Sequence, residues 1–181
     1  MATEDENLAD ATAALDRLAS AAPQAVDPLI ETAVGLSMLV AIIMLHGFGI
    51  RAINRAFILR TAAFAGDTPR WRVNLLLAAA VLAIAVLHLV ETLLLALPLY
   101  GGAMLPTLRD SYYFALQSYT TLGDSGLRLP ESWQLLGPMI AVAGLFTFGL
   151  TAGVLVDILS QIGRIDRADA RRKQAAARQD P

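Results

Sequence analysis

The chain has 181 residues, of which 56% are hydrophobic, with no cysteine and a formal net charge of −2. Such a hydrophobic share is well above that of an average soluble domain and indicates a small membrane protein without a separate catalytic domain. The lack of cysteine excludes a disulfide framework and thiolate metal sites.

Residues 1–28 form an acidic N-terminal segment. Its apolar residues recur at helical spacing before Pro23, at Leu8, Ala11, Leu15 and Leu18. Two interpretations stay open, because alanine favours helix but the apolar face is narrow. The segment is either an amphipathic helix that lies on the membrane or on a neighbouring subunit, or a frayed acidic tail.

Three apolar stretches are long enough to cross a bilayer, whose hydrocarbon core needs about 20 apolar residues in a helix. The predicted spans are residues 29–50, 73–97 and 135–160, and the second is expected to stop at Pro98. The sequence therefore predicts an all-α protein that crosses a cell (inner) membrane three times.

Arginine concentrates in the loop predicted over residues 51–72 and in the tail, residues 161–181. The positive-inside rule places both segments in the cytoplasm. With three spans, the acidic N-terminus is then extracytoplasmic and the C-terminus cytoplasmic. The tail is expected to continue the third span as a basic helix, and arginine-rich segments of this kind can contact anionic lipid.

A short segment with polar ends lies between the second and third spans. Residues 111–120, SYYFALQSYT, are too short and too polar to cross a bilayer as a helix, and Asp110 or Ser111 is expected to cap their start. Hydroxyl and glycine residues follow, over 121–125. Non-helical backbone is tolerated at membrane depth only where it is buried in protein or lines a water-filled path. This pattern indicates a re-entrant loop and therefore a pore.

The stretch Thr121-Leu122-Gly123-Asp124-Ser125 resembles the Thr-Val-Gly-Tyr-Gly filter of potassium channels, and residues 111–120 resemble their pore helix. Downstream, Val142-Ala143-Gly144-Leu145-Phe146-Thr147-Phe148-Gly149-Leu150 is similar to the inner helix of simple bacterial potassium channels. The resemblance covers roughly residues 73–160. It implies a pore domain of two helices with a re-entrant pore helix and filter, here preceded by one extra transmembrane helix. It also implies a homotetramer. The alternative is an ordinary external turn over residues 120–126.

Two filter positions depart from this family, with Asp124 where it has tyrosine and Ser125 where it has glycine. Aspartate at that position resembles the filter of bacterial nonselective sodium and potassium channels. Four copies of Asp124 would form an acidic ring that attracts divalent cations, although a solvent-facing turn cap is an alternative. Since serine lacks the conformational freedom of glycine, we expect an outer filter of altered shape.

Backbone carbonyls and hydroxyls replace the hydration shell of an ion in such a filter. The predicted ion-filter residues are Thr120, Thr121, Leu122, Gly123, Asp124 and Ser125. Thr121, Leu122 and Gly123 are expected to bind monovalent cations and Asp124 a divalent one. Potassium, sodium and calcium are thus the expected transported ions, and no other cofactor is expected.

The resemblance also suggests which inner-helix residues gate and line the pore. They are Gly144, Leu145, Phe148, Ala152, Val156 and Asp157. Gly144 is a candidate hinge, although glycine is common in membrane helices. Asp157 is expected near the cytoplasmic mouth, where it either concentrates cations or forms a salt bridge with Arg164 or with the first cytoplasmic loop.

Ionisable groups within a membrane span are functional candidates by default. His88 and Glu91 lie three residues apart in the second span and therefore share one face. We expect an interhelical polar clamp there, with proton sensing as the alternative. His46 is predicted near the inner end of the first span. At about 1.5 Å per residue it differs from His88 by about 10–15 Å in depth, which argues against a shared metal site.

The sequence thus favours a tetrameric channel that passes potassium and sodium, with calcium either permeating or blocking. The alternative is a non-conducting membrane scaffold or sensor with the same architecture. We expect no enzyme activity, because no nucleophile and base are paired. Nucleic-acid binding is not expected either, since no aromatic residues are interleaved in the basic tail.

Overall fold

The computed structural model describes residues 27–62, 69–123 and 126–178, which are almost wholly helical. The helices of this part of the chain are α1, Pro28–Ala62; α2, Arg70–Gly101; α3, Leu108–Tyr119; and α4, Leu136–Ala177; a short 3-10 turn, Glu131–Trp133, precedes α4. Helices α1, α2 and α4 are each long and apolar enough to cross a membrane. The predicted all-α class, with three helices able to span a membrane, is therefore confirmed.

Four predicted features lie wholly or partly outside the described ranges. The residues concerned are the acidic segment up to residue 26, residues 63–68 of the predicted cytoplasmic loop, the filter residues Asp124 and Ser125, and the end of the tail from residue 179.

Helix α1 is longer than predicted, because residues 51–62 continue it rather than forming a loop over 51–72. Helix α2 likewise begins at Arg70, inside the predicted loop. Arginine and alanine are good helix formers, and neither proline nor glycine interrupts residues 51–62. Positive charge indicates the side of a membrane on which a segment lies, but it does not end a helix.

Helix α2 also passes through Pro98, where the sequence predicted its end, and finishes at Gly101. Proline removes one backbone donor, which apolar helices tolerate when neighbouring groups satisfy the freed carbonyl. Beyond the proline the helix continues for one more turn, in which the Pro98 carbonyl accepts the N–H of Gly102 at 2.9 Å. Two consecutive glycines, rather than the proline, therefore mark the end of the helix.

Helix α3 begins at Leu108, ahead of the caps predicted at Asp110 and Ser111. Its N-cap is Thr107, whose hydroxyl accepts from the Asp110 N–H at 3.0 Å and donates to the Asp110 carboxylate at 2.7 Å. Threonine caps a helix by the same chemistry as aspartate or serine. Because Thr107 occupies the cap, Asp110 lies in the first turn, where its charge complements the helix dipole.

The C-terminal half of α3 packs into the main hydrophobic core, between α2 and α4. Ala115 and Tyr119 of α3 contribute to this core together with Ala96 and Leu99 of α2 and Ala143 of α4. Beside it, Gly144 of α4 lies against the backbone of Tyr119, and a Cβ at Gly144 would overlap the Tyr119 carbonyl oxygen. Close packing thus accounts for this glycine, whereas its role as a hinge stays a prediction.

Gly144→Ala should destabilise the protein, because the clash involves backbone that cannot rotate away. Overpacking of this kind costs about 1–3 kcal/mol. Gly149→Ala is the matched control, since a Cβ at Gly149 meets nothing within 4 Å in the part of the chain that the structure describes. Thermal unfolding of the detergent-purified variants measures the difference. Equal melting temperatures for the two variants would contradict the packing argument.

Candidate functional site

The predicted filter begins directly after α3. The C-cap of this helix is Thr120, whose hydroxyl donates to the Leu116 carbonyl at 2.9 Å. Thr121 and Gly123 then adopt positive φ angles of 60° and 73°. Glycine takes this conformation readily, whereas threonine does so only with strain, which is typical of functional backbone.

The backbone of the predicted filter is held against the last turn of α3. The N–H groups of Leu122 and Gly123 both reach the carbonyl oxygen of Gln117, at 2.9 and 3.4 Å. In a planar trans peptide the N–H and the preceding C=O point in opposite directions. The carbonyls of Thr121 and Leu122 therefore point away from α3, and the Leu122 side chain is 70% exposed.

Gln117 is a residue that sequence reasoning did not single out. Its side chain is buried, and its Oε1 atom has no hydrogen-bond partner among the described residues. A buried polar atom without a partner is costly and is uncommon in folded proteins. Its position on the turn that holds the predicted filter makes it a candidate for supporting that backbone.

The predicted pore-lining side chains lie at helical spacing on α4 and are exposed in the single chain: Leu145, Phe148, Ala152 and Val156. The ring of Phe148 also stacks on His88, with 4.6 Å between the ring centroids. Asp157 accepts hydrogen bonds from Asn54 at 3.2 Å and Gln161 at 3.0 Å. Neutral donors thus occupy this carboxylate in place of the salt bridge to Arg164 that was considered above.

Five side chains close a hydrogen-bonded ring in the middle of the bundle, here called the polar ring. Glu91 Oε1 contacts His46 Nδ1 at 3.0 Å, and His46 Nε2 contacts Thr151 Oγ1 at 3.2 Å. Thr151 Oγ1 also contacts His88 Nε2 at 3.1 Å, and His88 Nδ1 contacts the Tyr119 hydroxyl at 2.9 Å. The Tyr119 hydroxyl donates to Glu91 Oε2 at 2.7 Å and closes the ring.

The polar ring is almost fully buried and draws on α1, α2, α3 and α4. His46 and Glu91 are inaccessible, Tyr119 and Thr151 are buried, and only His88 is partly exposed, at 13%. Such groups within apolar helices are costly unless each of them has a partner. The predicted clamp therefore involves four helices rather than the His88–Glu91 pair with one neighbour.

Every member of the polar ring has two polar neighbours within it. The Tyr119 hydroxyl donates to Glu91 Oε2, whereas each contact of an imidazole nitrogen can be donating or accepting, according to the tautomer. The ring therefore leaves none of its five side chains without a polar neighbour, which suits its burial.

The argument that separated His46 from His88 in depth is wrong. Because α1 continues to Ala62, His46 lies near its middle rather than near its inner end. The ligand atoms of His46, His88 and Glu91 lie within 4.8 Å of one another, and the two imidazole centroids are 5.1 Å apart. These three residues are thus close enough to share a metal ion.

Sequence reasoning also missed Tyr119, Thr147 and Thr151 as members of this site. The hydroxyls of Tyr119 and Thr147 lie 2.5 Å apart. Thr147 and Thr151 are four residues apart in an apolar stretch, so they share one helix face. That spacing is a usable signal, although by itself it does not identify the partners.

Glu91→Gln should weaken the bundle, because an amide cannot carry the carboxylate charge and must turn a donor towards one of its ring partners. Leaving a buried polar group unsatisfied costs about 1–3 kcal/mol. Glu31→Gln is the matched control. Glu31 is also buried and accepts the Leu135 N–H at 2.5 Å, which an amide oxygen can still do.

Thermal unfolding in detergent, followed by circular dichroism, compares the two variants with the parent chain. We expect a clear fall in melting temperature for Glu91→Gln and little change for Glu31→Gln. A parent-like melting curve for Glu91→Gln, together with altered pH dependence of ion flux, would instead assign the ring to proton sensing.

Comparisons of this chain with protein-family models, with curated proteins and with solved structures gave no match.

Proposed function

We propose that the chain is one subunit of a homotetrameric cation channel, which passes potassium and sodium through the stretch Thr121–Ser125. One observation carries the proposal. Helix α3 ends beside residues that lie well inside the apolar parts of α2 and α4, where Tyr119 reaches Glu91 and Thr147. The chain then continues as non-helical backbone, with the carbonyls of Thr121 and Leu122 turned away from α3.

Non-helical backbone among apolar helices has to be buried in protein or to line a water-filled path. The N–H groups of Leu122 and Gly123 have a partner in the Gln117 carbonyl. The carbonyls of Thr121 and Leu122 face the opposite way, where water or a cation would satisfy them. One chain supplies only one edge of such a path, so several copies are required, and the resemblance described above implies four.

The exposed face of α4 supports an assembly around a central cavity. Phe148 and Val156 are large apolar side chains that are 43% and 64% exposed in the single chain. Around a shared axis they would line a hydrophobic constriction or pack on neighbouring copies. The carbonyl end of α3 carries partial negative charge and would favour a cation at the inner end of the filter.

Gly123→Ala should reduce potassium flux into liposomes at least about tenfold, because a Cβ strains backbone with positive φ and displaces the filter carbonyls. Gly126→Ala is the matched control. Gly126 has a similar φ of 64° and lies beyond the predicted filter, and a Cβ added at either glycine would meet no atom of the described residues within 4 Å. Similar flux through the two variants would contradict the assignment of the filter.

A non-conducting membrane scaffold or sensor is the second candidate, because Asp124 and Ser125 replace the residues that complete the filter in potassium channels. Both candidates have the same tetrameric mass in native mass spectrometry. They differ in ion flux: a channel passes potassium and sodium into liposomes, whereas a scaffold passes neither.

The outer filter should make the pore weakly selective among monovalent cations. Thr121, Leu122 and Gly123 keep the inner ion sites of the filter. The outer sites are lost, and a filter with fewer ion sites in a row discriminates less between potassium and sodium. Four Asp124 carboxylates would add affinity for calcium at the outer mouth.

Asp124→Asn should therefore relieve the effect of external calcium and leave monovalent flux largely unchanged. Asp157→Asn, at the opposite end of the predicted pore, is the control and should keep the calcium effect. Paired potassium, sodium and calcium flux assays measure both. Strong exclusion of sodium by the parent channel would contradict the proposed selectivity.

A further inference from the structure

We propose that the polar ring is a binding site for one divalent transition-metal ion of the zinc class, with ligands from His46 Nδ1, His88 Nδ1 and the Glu91 carboxylate. This proposal does not depend on conduction, because it concerns residues outside the predicted filter. Two imidazoles and one carboxylate form a donor set that suits zinc, cobalt and related ions.

The two Nδ1 atoms face the same carboxylate from opposite oxygens. His46 Nδ1 lies 3.0 Å from Glu91 Oε1, and His88 Nδ1 lies 3.6 Å from Glu91 Oε2. Ligands at about 2.0–2.2 Å from a metal lie about 3–3.5 Å from one another. Small side-chain rotations would therefore bring the two Nδ1 atoms and the carboxylate into coordinating positions, since one ligand atom from each of the three residues already lies within 4.8 Å of the other two.

The far side of each imidazole is held in the way that metal-binding histidines require. The Nε2 atoms of His46 and His88 both contact Thr151 Oγ1, at 3.2 and 3.1 Å. When both Nδ1 atoms bind a metal, both Nε2 atoms carry hydrogen, and one hydroxyl oxygen has two lone pairs to accept them. Such an acceptor fixes the tautomer and the orientation of ligating imidazoles.

The Glu91 carboxylate can serve the metal and the polar ring together. Coordination would use the Nδ1 lone pairs and Glu91 Oε1, while Glu91 Oε2 still accepts the Tyr119 hydroxyl. The site lies at the carbonyl end of α3, where the helix dipole favours positive charge.

His88 gives the proposed route to the site. It is the one member of the polar ring with partial exposure, and its imidazole stacks on the ring of Phe148 on the exposed face of α4. Rotation of the exposed Phe148 side chain would open a path to the imidazole. The ion would then enter from the face that is proposed to line the central cavity.

The test uses cobalt as the probe on the full-length chain, purified in detergent through a tag that contains no histidine. We expect one cobalt ion per chain, with the intense visible absorption of low-coordinate cobalt, and its displacement by zinc. Since ligating imidazole nitrogens must be free of hydrogen, cobalt binding should weaken on acidification. His46→Gln and His88→Gln should abolish the absorption, whereas Asp157→Asn, a carboxylate outside the ring, should retain it.

Substitutions at Thr151 distinguish a metal site from a hydrogen-bonded clamp. Thr151→Val removes the shared acceptor but keeps all three ligands, and should weaken cobalt binding about 10–100-fold. Thr151→Ser keeps the hydroxyl and should bind cobalt like the parent chain. If the histidine variants do not fold, the parent chain still decides the question, because zinc should raise its melting temperature and magnesium should not.

No cobalt or zinc binding by the parent chain at neutral or mildly alkaline pH would overturn the proposal, as would unchanged cobalt absorption in His46→Gln. In either case the polar ring is a hydrogen-bonded clamp and not a metal site.

Discussion

The hydrogen bonds of the Glu91 carboxylate are the interaction on which the arrangement of this bundle depends. A carboxylate among apolar helices is tolerated only with strong partners, and those of Glu91 are His46 on α1 and Tyr119 on α3. Thr151 on α4 then joins the two histidines. Because the members come from α1 to α4, satisfying one buried group fixes the depth and rotation of all these helices together.

Tyr119 connects this constraint to the proposed filter. Its hydroxyl belongs to the polar ring, and its carbonyl end packs against Gly144 so closely that no side chain fits between them. Two independent contacts therefore hold the last residue of α3, one through its side chain and one through its backbone. The positive-φ backbone at Thr121 and Gly123 starts from this fixed point, which is how a strained segment can persist.

The proposed channel and the proposed metal site use the same scaffold for different ions. The filter would bind weakly hydrated monovalent cations with backbone carbonyls, which release them readily. The polar ring offers imidazole and carboxylate groups, which bind transition metals more firmly. His88 of the polar ring stacks on Phe148, so a change in the charge of the polar ring would act on a side chain that is proposed to line the cavity.

Much of the architecture follows from the sequence alone. The lengths of the apolar runs determined three helices able to span a membrane, because crossing a bilayer requires about 20 apolar residues. The polar ends of the segment around residues 111–120 indicated a separate short helix, which is present as Leu108–Tyr119. The predicted ends of α1 and α2 were less accurate, since these helices continue to Ala62 and Gly101. Arginine indicates a side of the membrane but does not end a helix, and one proline does not stop a packed helix.

Only the tertiary structure decided which polar residues meet. Periodicity relates residues within one helix, so it paired His88 with Glu91, but the rotation and offset of α1 relative to α2 brought His46 to the same carboxylate. The packing of α3 and α4 likewise brought Tyr119 and Thr151 to this site. Their own sequence segments resemble an ordinary pore helix and an ordinary apolar helix, and neither indicates such a contact. The need for Gly144 likewise came from the crossing of α3 over α4, a distance between backbones that no single segment of sequence encodes.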